Sequence, residues 1–164
     1  MGHKMDTIYV SGNVELGCLE ISGVPCQTKA WHDSRMKMPF VMKDMLMNIV
    51  KKTTVKLDDI HIVGYNINNE EIRLMDMDSP MGYVTRIRRL NEIPYPSSSD
   101  DYITCMIPLL QLAALGKVIM EDTLHIIHHT PRSLTVSNYP SARPVLPSCF
   151  LPSSLASSSK KPKN

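Results

Sequence analysis

The chain has 164 residues, 43% of them hydrophobic, enough for one domain with a substantial core. Its 18 basic and 16 acidic residues leave a net charge of only +2, which excludes a uniformly polybasic or polyacidic protein. The balance is uneven along the chain: residues 131–164 contain no Asp or Glu but hold Arg132, Arg143, Lys160, Lys161 and Lys163, a tail of +5 that leaves the first 130 residues at −3.

The N-terminus, MGHKMDTIYV, has no apolar core of a signal peptide. Asp6 stands where a myristoylation signal needs Ser or Thr. No uninterrupted apolar run reaches the ~18 residues of a membrane span, so no transmembrane segment is expected. Cys18, Cys26, Cys105 and Cys149 form no C-x-x-C pair and no zinc-finger spacing with histidine. These features favour a reducing, intracellular setting.

Ile8, Val10, Val14, Leu16 and Cys18 share one parity, and Leu19 and Ile21 the other. The alternation predicts strands, with Ser11-Gly12-Asn13 as a turn and a bulge or an edge bend near Gly17, where the parity switches. Val24, Cys26, Thr28 and Ala30 alternate again up to Trp31, the only tryptophan, which suits a core or rim anchor and, alternatively, a partner contact.

Residues 36–52, MKMPFVMKDMLMNIVKK, carry the clearest helix signal. Pro39 suits a first helical turn, and Met42, Leu46, Ile49 and Val50 fall at i, i+4, i+7 and i+8. Lys51 and Lys52 complement the dipole at the C-terminal end. Residues 60–75 read as a β-hairpin turning at Asn68-Asn69, since asparagine tolerates positive φ. YVTRIRRL (83–90) reads as a strand carrying Arg86, Arg88 and Arg89, and 91–101, with two prolines and three serines, as a linker. Pro108 is placed in the first turn of a short helix, roughly 107–115, or one that begins earlier with Asp100 or Asp101 as N-cap, and Gly116 ends it; 117–130 reads as a final strand. The last 34 residues, with six prolines and nine serines, are expected to be disordered.

No nucleophile elbow, zinc-protease, P-loop or dinucleotide motif occurs. Asp58-Asp59 and Asp100-Asp101 read as turn and cap residues. On a strand His125 and His129 share a face that His128 does not, which disfavours a metal site and suits surface histidines. No enzyme activity, cofactor, metal or small-molecule substrate is expected. The arginine strand is the main charge feature: arginine grips phosphate as a fork, and it also guards an edge strand against aggregation. Arg86, Arg88, Arg89, Lys51 and Lys52 are therefore the candidate anionic-surface residues. Exchange of the three arginines for glutamine is expected to leave the fold intact.

VSGNVELGCLEI (10–21), PFVMKDMLMNIV (39–50) and LLQLAALGKVIMED (109–122), taken in this order, resemble in outline the matrix proteins of rhabdoviruses, particularly the short ones of plant members. The resemblance implies a body that self-associates, binds the nucleocapsid protein and contacts the anionic inner face of a host membrane, in host cytoplasm and virion; RNA phosphate is the other anionic partner that the arginine strand suits. Two features depart from that pattern. The basic segment here is C-terminal, and PSARP (140–144) has Arg143 where a budding motif needs proline. The expected architecture is an α+β domain over residues 1–130. It has an antiparallel sheet packed by one main amphipathic helix and a second short helix, followed by the disordered tail 131–164. A cellular adaptor module using the tail as a linear motif is the alternative.

Overall fold

A computed structural model describes residues 4–22 and 33–130. The elements run β1 (Thr7–Ser11), β2 (Val14–Ser22), a π-helical turn (Asp33–Lys37), α1 (Met38–Lys52), a 3-10 turn (Leu57–Asp59), β3 (Ile62–Asn68), β4 (Glu71–Asp78), β5 (Arg86–Arg89), β6 (Ile93–Pro94) and α2 (Tyr102–His129). The α+β class holds. The expectations for 24–31 and for the tail 131–164 lie outside the described residues.

The sheet has the order β1-β2-β3-β4-β5, with β6 beside β4 in line with β5. Contrary to the antiparallel expectation it is mixed, because β2 and β3 run parallel. Parallel neighbours need a crossover, and the intervening chain supplies one that contains α1. The predicted bulge is present: Tyr9 pairs with Gly17 and Val10 with Glu15, so Leu16 is the extra residue and side-chain parity switches there. The hairpin turns where expected, with Asn69 at φ 54°.

β3 is the central strand, and its two faces are covered by different helices. Ile62 belongs to the core under α1, where Met38, Met42, Met45, Leu46 and Ile49 are buried. Gly64 lies on that face too, and a β-carbon there would stand 2.8 Å from the Met42 sulfur, so α1 sits directly on the backbone. Val63 and Tyr65 point the other way, into a cluster with Leu74 and Leu112 under α2. The result is three layers: α1, sheet, α2. A strand covered on both sides must be apolar at both parities, which is why VGY continues the run of Ile60 and Ile62 instead of alternating.

Two sequence expectations fail at the C-terminal end. The second helix is 28 residues long, and the strand expected over 117–130 is its second half. Pro108 is inside it, and Gly116 does not end it. Gly116 is buried against Tyr65, where its lack of a side chain allows the helix to approach. The glycine thus serves packing rather than termination.

Candidate interaction surfaces

Residues 102–119 contain a single charge, Lys117, so α2 is apolar around its whole circumference rather than along one stripe. One side is used by the fold: Leu109, Leu112, Gly116 and Thr123 are buried. The opposite side faces solvent. Ile103 is 73% exposed, Ile107 52%, Leu110 62% and Val118 50%, and their spacing puts them on one line together with Ala114. The line ends where Lys117 and Glu121 form an i,i+4 ion pair. Contiguous exposed apolar surface of this kind marks interaction sites.

The most apolar 18-residue window of α2 has a mean hydropathy of 1.8 and is only 17% buried, so by length and composition the helix qualifies as a membrane span. This corrects the expectation that no segment would. A search for uninterrupted apolar runs misses a window broken by Thr104, Gln111 and Lys117. Core helices and signal sequences meet the same criteria, and here Leu112, Gly116 and Thr123 are built into the body.

The five predicted basic residues do not form one patch. Arg86 and Arg88 lie directly across from Asp78 and Asp76 in the β4–β5 ladder. Arg86 donates from Nε to Asp78 at 3.0 Å, and Arg88 reaches Asp76 at 3.1 and 2.7 Å. Both carboxylates are buried, with 6% of Asp76 and 4% of Asp78 exposed. These two arginines are thus counterions to buried acids. Arg89 points to the α1 side, opposite Met75. Burial lowers its pKa, and the nearby charges of Arg35 and Arg73 lower it further. Arg73 also pairs with Glu92, while its Nε is buried with no partner. Lys51 and Lys52 stand at the other end of α1, exposed, with Lys52 reaching the Asn13 carbonyl at 3.3 Å.

Sequence reading missed Arg35 and Arg73. Nothing local marks them: they come to Arg89 only because β4 and β5 are adjacent and the turn before α1 approaches their end of the sheet. Among the described residues no group of His, Cys, Asp or Glu has the makings of a metal site. His125 and His129 do share a face, but of a helix: their rings stack at 3.9 Å, and His129 Nδ1 lies 2.8 Å from the His125 carbonyl oxygen.

Between the C-terminal half of α2 and the β4–β5 side of the sheet lies a cleft of about 380 Å³. Leu90, Leu115, Ile119 and Ile126 supply apolar walls, and His61, Asp76 and Arg88 a polar end. Asp59 and Asp122, both exposed, add two carboxylates. His61 Nδ1 is 2.8 Å from Asp76. That bond raises the His61 pKa above its ordinary value, against the opposing effect of burial. Burial alone would raise the Asp76 carboxyl, but the bonds from His61 and Arg88 outweigh it and hold it below its ordinary value. The buried Thr123 hydroxyl accepts from the His61 backbone N–H at 3.1 Å and donates to the His61 carbonyl at 3.0 Å. This clamps α2 to the entry of β3. The hydroxyl is thus engaged with backbone, not with the imidazole, and no nucleophile–base pair results.

In comparisons with known proteins, no family model, no curated protein and no solved structure matches the chain.

Proposed function

We propose that this protein is a non-enzymatic assembly protein of the viral matrix type. In this reading it self-associates and links a nucleocapsid to an anionic membrane face, in host cytoplasm and at the inner surface of the virion. The observation that carries the reading is the exposed line Ile103–Ile107–Leu110–Ala114–Val118, which lies on the side of α2 opposite its buried face. A helix whose solvent side is as apolar as its core side loses hydrophobic free energy until another surface covers it. Support for anionic contact comes from the exposed Arg89, near which the charges of Arg35 and Arg73 also lie, and from the exposed Lys51 and Lys52 at the far end of α1. Like charges held together gain from an anion that neutralises them.

The test is sedimentation over a wide concentration range. Wild type is expected to assemble, and Ile107→Asp with Leu110→Asp to stay monomeric with an unchanged fold, both positions being exposed. A wild type that is monomeric throughout refutes assembly through this line. It leaves the alternative, an adaptor module that holds one foreign partner there. Co-sedimentation with anionic vesicles tests the second surface. Arg73→Gln with Arg89→Gln is expected to weaken binding and flatten its salt dependence, and equal binding by wild type and variant would remove the arginines from it.

A further inference from the structure

We propose that the cleft between α2 and the β4–β5 side of the sheet is the seat of the chain's own residues 131–136, which follow α2 directly. The cleft and this segment match in polarity, charge and position. Its walls are apolar (Leu90, Leu115, Ile119, Ile126), so it suits an occupant with apolar side chains. It is also acidic. Arg88 is committed to Asp76 and Asp78, whereas Asp59 and Asp122 enter no ion pair among the described residues. An occupant that is both apolar and cationic fits this combination.

The segment PRSLTV has that character. Arg132, Leu134 and Val136 alternate with Ser133 and Thr135, so in an extended chain the cation and both apolar side chains lie on one side. The whole stretch 131–164 has no acid to compete with Asp59 and Asp122. The position is right as well. Thr130 leaves α2 in an extended conformation, φ −72° and ψ 117°, four residues after the cleft-lining Ile126. A proline at 131 biases Thr130 toward this extended backbone. From Ile126 to Leu115 the cleft follows α2 for about 16 Å at the helical rise per residue. Six extended residues span about 20 Å. Turned back antiparallel to α2 from Thr130, the segment therefore reaches past Ile119 and stops short of Leu115, with Arg132 nearest Asp122 and the apolar pair beyond it.

Limited trypsin digestion of the full chain tests this. Arg143 and Lys161 precede proline, so the tail offers cleavable bonds after Arg132, Lys160 and Lys163, and the one after Lys160 serves as each molecule's own reference. Cleavage tracks the fraction of time a site is released, so the bond after Arg132 is expected to be cut about tenfold more slowly than that after Lys160. Asp122→Lys, on the exposed side of α2, is expected to abolish the difference. Leu134→Asp, beyond the body altogether, is expected to do the same, and it decides the matter should Asp122→Lys disturb the fold. Protection that persists in Leu134→Asp overturns the proposal, as does equal cutting of the two bonds in wild type. Protection that strengthens with protein concentration also overturns it, because the occupant is then a neighbouring copy's tail.

Discussion

The hydroxyl of Tyr65 occupies the place where a side chain at position 116 would begin: a β-carbon on Gly116 would stand 1.9 Å from it and 2.7 Å from the ring carbon that bears it. Tyr65 is held there by packing and by donation to the Ala113 carbonyl at 3.3 Å. Alanine is the better helix former by about 1 kcal/mol. Overpacking in a filled core costs about 1–3 kcal/mol. Gly116→Ala is therefore expected to lower the unfolding midpoint in denaturant despite its propensity. Tyr65→Phe, which removes the oxygen, is expected to reduce that loss, so the double variant is less destabilised than the sum of the singles. Additive losses would mean that Tyr65 is not what excludes a side chain at 116.

Arg88 and Arg89 are neighbours in sequence with opposite fates. Arg88→Gln leaves Asp76 with a weakened set of partners in a buried position, and an under-compensated buried charge is destabilising. Arg89→Gln removes a charge that Arg35 and Arg73 repel. Thermal melts are expected to show a clear drop for the first and little change, or a small rise, for the second. The pairing with buried acids revises the expectation that all three arginines can be exchanged freely.

The His61–Asp76 bond makes stability depend on pH in a definite direction. The His61 pKa is raised above 6.5, chiefly by its bond to Asp76. Its contribution is therefore complete below the unfolded value and disappears as pH rises through the folded value. Asp76, held below 3.8, contributes in the opposite sense: its share is present above that value and lost as pH falls through the depressed one. The thermal midpoint of wild type is expected to decline from about pH 6 upward relative to that of His61→Gln, whose profile in that window is flatter. Parallel profiles would exclude the bond as a source of the pH dependence.

Cys18 lies in the core beneath α1, and burial pushes its thiol up to about 12, with the Glu20 carboxylate adding to the effect. The thiolate is the reactive form, so alkylation of the folded protein near pH 8 is expected to spare Cys18 while labelling the partly exposed Cys105. Peptide mass spectrometry reads both positions. Rapid labelling of Cys18 under native conditions would indicate that the β2 region opens.

Local signals in the sequence carried α1, the β1–β2 turn, the bulge and the β3–β4 hairpin, because each is written in adjacent residues: Pro39 and the methionine stripe, Ser11-Gly12-Asn13, the parity switch, Asn69. What sequence could not carry depends on partners far along the chain. Gly116 looks like a helix stop until Tyr65, 51 positions away, is seen beneath it. Arg86 and Arg88 look like a phosphate grip until Asp78 and Asp76 are found opposite. Arg35 and Arg73 give no signal because their meeting with Arg89 is created by the sheet. The glycine splits the long α2 in sequence for the same reason, and its exposed apolar line, which crosses position 116, has no continuous local signal.

The parallel junction between β2 and β3 has a kinetic consequence. β1 with β2, β3 with β4, and β4 with β5 are pairings between neighbours in sequence, whereas β2 meets β3 only after residues 23–61 have been looped out. Closing that loop costs chain entropy before any contact compensates for it, so the β2–β3 seam is expected to be the slow step of folding. Each doubling of a flexible loop adds only about 0.6 kcal/mol. Lengthening the crossover is therefore a mild perturbation of the rate. Weakening the seam itself, at Gly17, where a β-carbon would meet the Val63 carbonyl at 2.6 Å, is a severe one. The two local hairpins can then form and persist without each other, each with an unpaired edge, and an intermediate of that kind is the state from which strand exchange between copies would begin.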